Sequence, residues 1–169
     1  MEFPELVRER CSIRAYKPDP VEEEKLAEVL EAARLAPTAG NEQPFQLIVI
    51  TTAGREAELR RIYNREWFVQ PPFVICACGI PEDCAASREP MMRCYIDVAI
   101  VMDHLILAAT NAGLGTCWIG AFDPQAAREV LGLPRGVEPV AFTPLGYPAD
   151  GRRPKTRKPL SELVRYERW

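Results

Sequence analysis

Residues 95–111 read YIDVAIVMDHLILAATN, and the reading of this stretch decides the fold. Ile96, Val98 to Met102 and Leu105 to Ala109 leave almost no polar face, and only Asp97, Asp103, His104 and Thr110 interrupt them. A surface helix shows an apolar stripe, whereas a helix apolar all round must be covered on every side. The run is too short and too interrupted for a membrane span, which needs about 20 apolar residues. A chain of 169 residues builds one modest core, and a single layer of neighbours would leave part of such a helix wet. The reading is a central helix that packs on its own sheet and also on a second copy of the protein.

Gly113 and Gly115 stop this helix, and TCWIGAF (116–122) follows as a strand. Upstream, FQLIVIT (45–51) and FVICACG (73–79) read as two more strands. Val137 to Tyr147 makes a fourth, with Pro139 and Pro144 marking an edge or a bulge. Between the strands lie helices. Phe3 to Arg10 is expected to turn Phe3, Leu6 and Val7 inward. Asp19 as N-cap, Pro20 at the first helical position and Glu22 at capping-box spacing open the next helix. Leu26, Val29, Leu30 and Ala33 keep its period, and Pro37 ends it. Thr52 is read as the cap of a helix to about Asn64, with Leu59 and Ile62 inward. Asp123-Pro124 opens a helix to about Gly132. The tail SELVRYERW carries apolar Leu163, Val164, Tyr166 and Trp169. Helices alternating with few strands give an α+β or α/β class, three layers around a four- or five-stranded sheet, in one domain over 1–169.

Hydrophobic content of 47% and charged content of 27% are those of a globular protein. A formal charge of −3 argues against a nucleic-acid binder, which shows a basic surface. The start of the chain has no apolar core of a signal peptide, so a cytoplasmic location is expected and the six cysteines are read as thiols.

Two basic clusters lie at opposite ends of the chain: Arg8, Arg10 and Arg14, then Arg152, Arg153, Lys155, Arg157 and Lys158. A phosphate monoester asks for several converging cationic donors and a hydroxyl. Arg10, Ser12, Arg14, Lys155 and Arg157 supply that set if the fold joins the chain ends; a solvated charged face is the competing reading. GLGTCWIG leads from a helix into a strand, the reverse of the dinucleotide-binding order. His104 is the sole histidine and lies mid-helix, so no metal site and no histidine-based nucleophile is expected. Cys76 and Cys78 share one face of a strand and read as core, while Cys84 and Cys94 stand open between pairing and metal binding. Residues that hold rather than react point to a cofactor carrying the chemistry.

The motifs R-x-S-x-R (10–14), AARLAPTAGNEQPF (32–45), GLGTCWIGAFD (113–123), LGYP (145–148) and K-T-R (155–157) together resemble the FMN-dependent nitroreductase family. The resemblance implies an α+β fold, a three-layer α/β/α sandwich around a mostly antiparallel four- to five-stranded sheet. It further implies a homodimer with the central helix buried and two FMN sites, each built from both subunits. Arg10 and Ser12 resemble the N-terminal phosphate and ribityl contacts, and Lys155 and Arg157 the C-terminal phosphate clamp. Cys11 stands where the family often has a basic or polar residue, among the cofactor contacts and without a redox role. Arg14 falls where a cation sits near flavin N1 and O2. Pro37, Thr38, Ala39 and Asn41 match a loop that reaches the flavin from the other subunit; Gln43 bonds either the cofactor or the loop's own backbone. Asn64 matches an amide at the flavin N3–O4 edge, and Ile119 and Gly120 the backbone that meets N5. Tyr63, Trp67 and Phe68 stand as pocket walls or as core. The implied activity is reduction of nitroaromatics, quinones or flavins by NAD(P)H in ping-pong fashion, with no catalytic side chain. The alternatives are other chemistry on the same fold (dehalogenation, flavin fragmentation, dehydrogenation) or an FMN-binding dimer without turnover.

Overall fold

The computed structural model describes residues 1–84, 88–151 and 155–169. Arg152 and Arg153 of the basic loop, and three residues of the polar loop before the central helix, lie outside them.

The sheet has four strands: β1 (Phe45–Thr51), β2 (Phe73–Gly79), β3 (Gly115–Thr116) and β4 (Glu138–Gly146), in the order β1-β2-β4-β3 with every pairing antiparallel. All but the first residue of β2 are buried. Its alternate side chains feed two cores, as expected of a strand covered on both faces. Ile75 and Ala77 face a core built with α2 (Glu23–Arg34) and α4 (Pro90–Asn111). Val74, Cys76 and Cys78 face the other, where Leu59 and Ile62 of α3 (Glu56–Ile62) meet Ala126 and Ala127 of α5 (Pro124–Leu131). This is the expected α+β three-layer sandwich.

The central helix begins at Pro90, five residues before the quoted stretch, with proline in its first turn. Val98, Val101, Met102, Leu105 and Ala109 are fully buried. Its other flank is apolar and uncovered by its own chain: Ile96 is 54% exposed and Tyr95 40%. The first helix, α1 (Phe3–Glu9), buries nothing, and Phe3 and Val7 point outward rather than inward as expected. The tail is equally bare. Beyond the short α6 (Leu160–Leu163), Tyr166 is 86% exposed.

Three local expectations are corrected. Helix α2 starts at Glu23, not Pro20, because the Glu22 carboxylate is engaged by the Tyr147 hydroxyl, 2.6 Å away, and by Lys25 instead of closing a capping box. Thr52 does not cap α3; its hydroxyl donates to the Pro71 carbonyl. The third strand shrinks from 116–122 to two residues. Pro144, facing it in β4, has no N–H to give, and Cys117 N–H turns to the Thr143 hydroxyl, 3.1 Å. Pairing resumes only at Ile119, which exchanges both backbone bonds with Phe142 at 2.9 Å. Of the two readings of the β4 prolines the bulge holds at Pro139: β4 is interior, and Pro139 sits at the register shift opposite Ala77 and Cys78, while Pro144 pairs in register with Val74. Asp123 does cap α5, its Oδ1 accepting Gln125 and Ala126 N–H at 3.0 Å.

Candidate functional site

The arm after α1 is held as an extra edge beside β3. Ile13 N–H donates to Thr116 O at 2.8 Å, Lys17 N–H to Tyr147 O at 2.9 Å and Ala149 N–H to Ala15 O at 2.8 Å. Gly115 makes this docking possible, since a Cβ there would meet Ile13 at 3.0 Å. Tyr16 is buried under the arm and donates its hydroxyl to Ile13 O at 2.9 Å; burial holds its ionisation far above the usual tyrosine range.

With the arm fixed, the two ends of the chain converge. Arg10, Cys11, Ser12 and Arg14 line one side of a cavity of about 190 Å³, and Lys155, Thr156 and Arg157 line the other. Thr156 was not anticipated, although its place between two expected ligands pointed to it. Lys155 also donates to the Val7 carbonyl. A neighbouring hollow of about 330 Å³ shares Arg10, Lys155 and Arg157 and adds apolar Phe3, Val7 and Leu107 together with Arg8 and the carboxylate of Asp103. Among the described residues no carboxylate lines the smaller cavity or pairs with Arg10, Arg14, Lys155 or Arg157. Partial burial, together with the positive charges of Arg10 and Arg157, pushes the Lys155 ammonium below the usual lysine range. Four converging cations and a hydroxyl, with no ion-pair partner among the described residues, fit a phosphate monoester dianion, which accepts several charge-assisted hydrogen bonds at once.

Arg14 continues the site toward the sheet's far layer. Its guanidinium lies 5.9 Å from the Trp67 ring centre, and its backbone N–H donates to Asp150 Oδ2 at 3.4 Å. Gln70 Oε1 accepts Tyr16 N–H at 3.2 Å, tying the segment after α3 to the same arm. Asn64 is exposed on that segment. Tyr63 and Trp67 are half-buried and meet edge to face at 5.6 Å. Phe68 is fully buried between Tyr63 and Phe142, so it is core and not a pocket wall. Ile119 is buried, whereas Gly120 is exposed and a Cβ there would meet nothing within 4 Å. Backbone at that point is open to close approach by a planar ligand.

The loop of Pro37, Thr38, Ala39 and Asn41 is not part of this assembly within one chain. Ala39 N–H donates to Asp97 Oδ1 at 3.1 Å, near the start of α4. The hollow that shares Arg10, Lys155 and Arg157 with the basic cavity is lined by Leu107, ten residues further on, or about 15 Å along a helix. The loop is wound tightly, with Gly40, Asn41 and Gln43 at φ of 62°, 56° and 54°. The left-handed region costs a non-glycine residue roughly 1–2 kcal/mol. Gln43 bonds the loop's own backbone, its Nε2 donating to Asn41 O at 3.1 Å.

Comparison with known proteins agrees with this architecture. The model of the Nitroreductase family matches residues 7–71 and 56–147. A putative NADH dehydrogenase/NAD(P)H nitroreductase of Archaeoglobus fulgidus is 32% identical over 86% of this chain and 84% of its own. The FMN reductase [NAD(P)H] of Bacillus subtilis is 28% identical over 92% of this chain and 69% of its own. The crystal structure of a nitroreductase family protein from Clostridium difficile 630 superposes with a TM-score of 0.84 at 37% identity, over the whole of both chains. The chain belongs to the nitroreductase family.

Proposed function

We propose that the protein is an FMN-dependent NAD(P)H oxidoreductase whose acceptors are nitroaromatics, quinones or flavins. The carrying observation is the basic cavity at the joined chain ends, four cations and a serine with no acid among them. The family and the relative named FMN reductase [NAD(P)H] support FMN as cofactor and NAD(P)H as donor. Arg10, Ser12, Lys155 and Arg157 would hold the phosphate, and Cys11 would line the same cavity. When bound, a flavin would supply the hydride-transfer chemistry between NAD(P)H and the acceptor.

The chain's own residues bind, orient and tune. Arg14 would set a positive charge beside a bound flavin and stabilise its anionic reduced form, and Trp67 flanks that guanidinium at 5.9 Å. Ile119, pinned to β4, holds the backbone at Gly120, whose missing side chain leaves the approach clear. Asn64 offers an amide to the ring's polar edge. Tyr63 and Trp67 form the wall available to an acceptor. No side chain is required as an acid, because solvent delivers the protons.

The site is completed by a second copy. Three features support this: the uncovered apolar flank of α4, the outward Phe3 and Val7, and the separation of the Pro37 to Asn41 loop from the cavity in its own chain. Two antiparallel α4 helices would bring the loop of each chain to the cavity of the other. The absorption spectrum of the purified protein, before and after NADH or NADPH, tests the reading. A yellow protein that bleaches supports it, one that stays yellow with both donors is not a reductase, and a colourless protein that never takes up FMN defeats it.

A further inference from the structure

We infer that Asp97 is a positioning residue of the cofactor site, acting through the loop of Pro37 to Gln43. Among the wholly buried positions of α4 it is the one charged type; the others are Cys94, Val98, Val101, Met102, Leu105, Ile106 and Ala109. Asp97 is 2% exposed. Its Oδ1 accepts the Ala39 N–H at 3.1 Å, and its Oδ2 is buried with no hydrogen-bond partner. A buried polar group with a lone pair unfilled is a poor way to stabilise a helix, and leucine at 97 would cost less. What the carboxyl alone supplies is the bond to the loop.

That bond does a specific task. Ala39 opens the short turn Ala39–Asn41, and Thr38 before it does not cap the turn. The Thr38 hydroxyl is turned instead to Gln43 N–H, 3.0 Å away, closing the loop on itself. Asp97 therefore serves as an N-cap delivered from another element. The two residues that share its helix face secure the rest. Arg93, one turn earlier, pairs with Glu42 at 3.1 Å and lies over Gly40, where a Cβ would meet it at 3.3 Å. Cys94 Sγ approaches Pro44 O at 3.4 Å. A loop with three left-handed residues keeps one shape only when its surroundings dictate that shape. The start of α4 does so at Ala39, Glu42 and Pro44 in turn. The inference rests on the reading above that this loop serves the FMN site of a second copy.

The test compares Asp97→Leu, which removes the acceptor, with Asp97→Asn, which keeps a carbonyl oxygen in reach of Ala39 N–H. Amide hydrogen exchange of residues 37–43 in flavin-free protein is the first readout. It should quicken at least tenfold in Asp97→Leu, with β2 and β4 unchanged. The FMN dissociation constant is the second and should weaken about tenfold, a loss of one well-made hydrogen bond. Asp97→Asn should return both to within about threefold of the native protein. Unchanged loop exchange in Asp97→Leu overturns the inference, as does acceleration spread equally over β2 and β4. Faster loop exchange with undiminished FMN affinity also overturns it, because the loop would then not serve the cofactor. Failure of the functional reading is seen separately, as a native protein that does not bind FMN. If Asp97→Leu does not fold, Asp97→Ser, too short to reach Ala39, decides by the same two measurements.

Discussion

The two ends of α4 are opposite kinds of surface. At its start, Arg93, Cys94 and Asp97 grip a loop with three left-handed residues, through contacts of carboxyl to N–H, guanidinium to Glu42 and thiol to the Pro44 carbonyl. Toward its end, the arm after α1 and residues 155–157 gather four cations with no carboxylate among the residues that line their cavity. The first region uses its charged groups to hold a loop in one shape. The second is electrostatically incomplete and stores affinity for an anion. In an oxidoreductase of this family that uses FMN and NAD(P)H, the contrast separates what orients the cofactor from what captures it.

The largest expected effect strikes the capturing end. Lys155→Ala combined with Arg157→Ala should weaken FMN binding about 100-fold, two charge-assisted contacts at roughly 1.5 kcal/mol each. Flavin-fluorescence titration measures it, and the melting temperature of the flavin-free protein should stay nearly unchanged. Native affinity in that variant would erase the distinction between the two ends. Next, Ile96→Glu puts a charge on the uncovered flank of α4, where its own chain makes no demand. The proposed dimer should dissociate about 30-fold more readily by sedimentation, a hot-spot loss of roughly 2 kcal/mol. FMN should be lost in parallel, since loop and cavity would no longer meet. A variant that stays dimeric with full FMN would place the contact elsewhere.

Arg14→Ala addresses tuning rather than capture. Reduction by NAD(P)H should slow about tenfold and the two-electron flavin potential fall by roughly 30 mV, while FMN stays bound. Stopped-flow bleaching and potentiometry report the two, and unchanged values would remove that role. The smallest effect is on pH. Lys155 binds phosphate as an ammonium, and burial with Arg10 and Arg157 lowers its ionisation below the ordinary lysine value of 10.5. FMN affinity should therefore decline a few-fold as pH rises through that lowered value, earlier than for a free lysine. Lys155→Arg, whose cation persists at such pH, should abolish the decline. An identical alkaline profile in both proteins would assign the fall to another group.

Periodic and chemically repetitive signals were legible in the chain. The apolar runs of β1 and β2 fall on the expected residues, and the Asp123-Pro124 start of α5 carries its cap hydrogen bonds. The residues that line the basic cavity were legible too, because the chain concentrates its cations at its two ends. Signals that depend on a distant partner were not. Pro144 silences β3 from across the sheet, and Tyr147 draws Glu22 away from a capping box. Phe68 and Trp67 are adjacent aromatics of similar promise, yet Phe142 buries the first while Arg14 stacks beside the second.

By itself the sequence determined the layers, the central helix with more apolar surface than one chain can cover, and the kinds of donor at the site, because periodicity and charge are local properties of the chain. Only the tertiary structure decided that residues 10–14 and 155–157 share one cavity, that the Pro37 to Asn41 loop lies a long way from it along α4, and that Asp97 reaches Ala39. Those depend on which surfaces the packed sheet and helices bring face to face, and contact across 58 or about 145 residues of chain leaves no trace in local spacing.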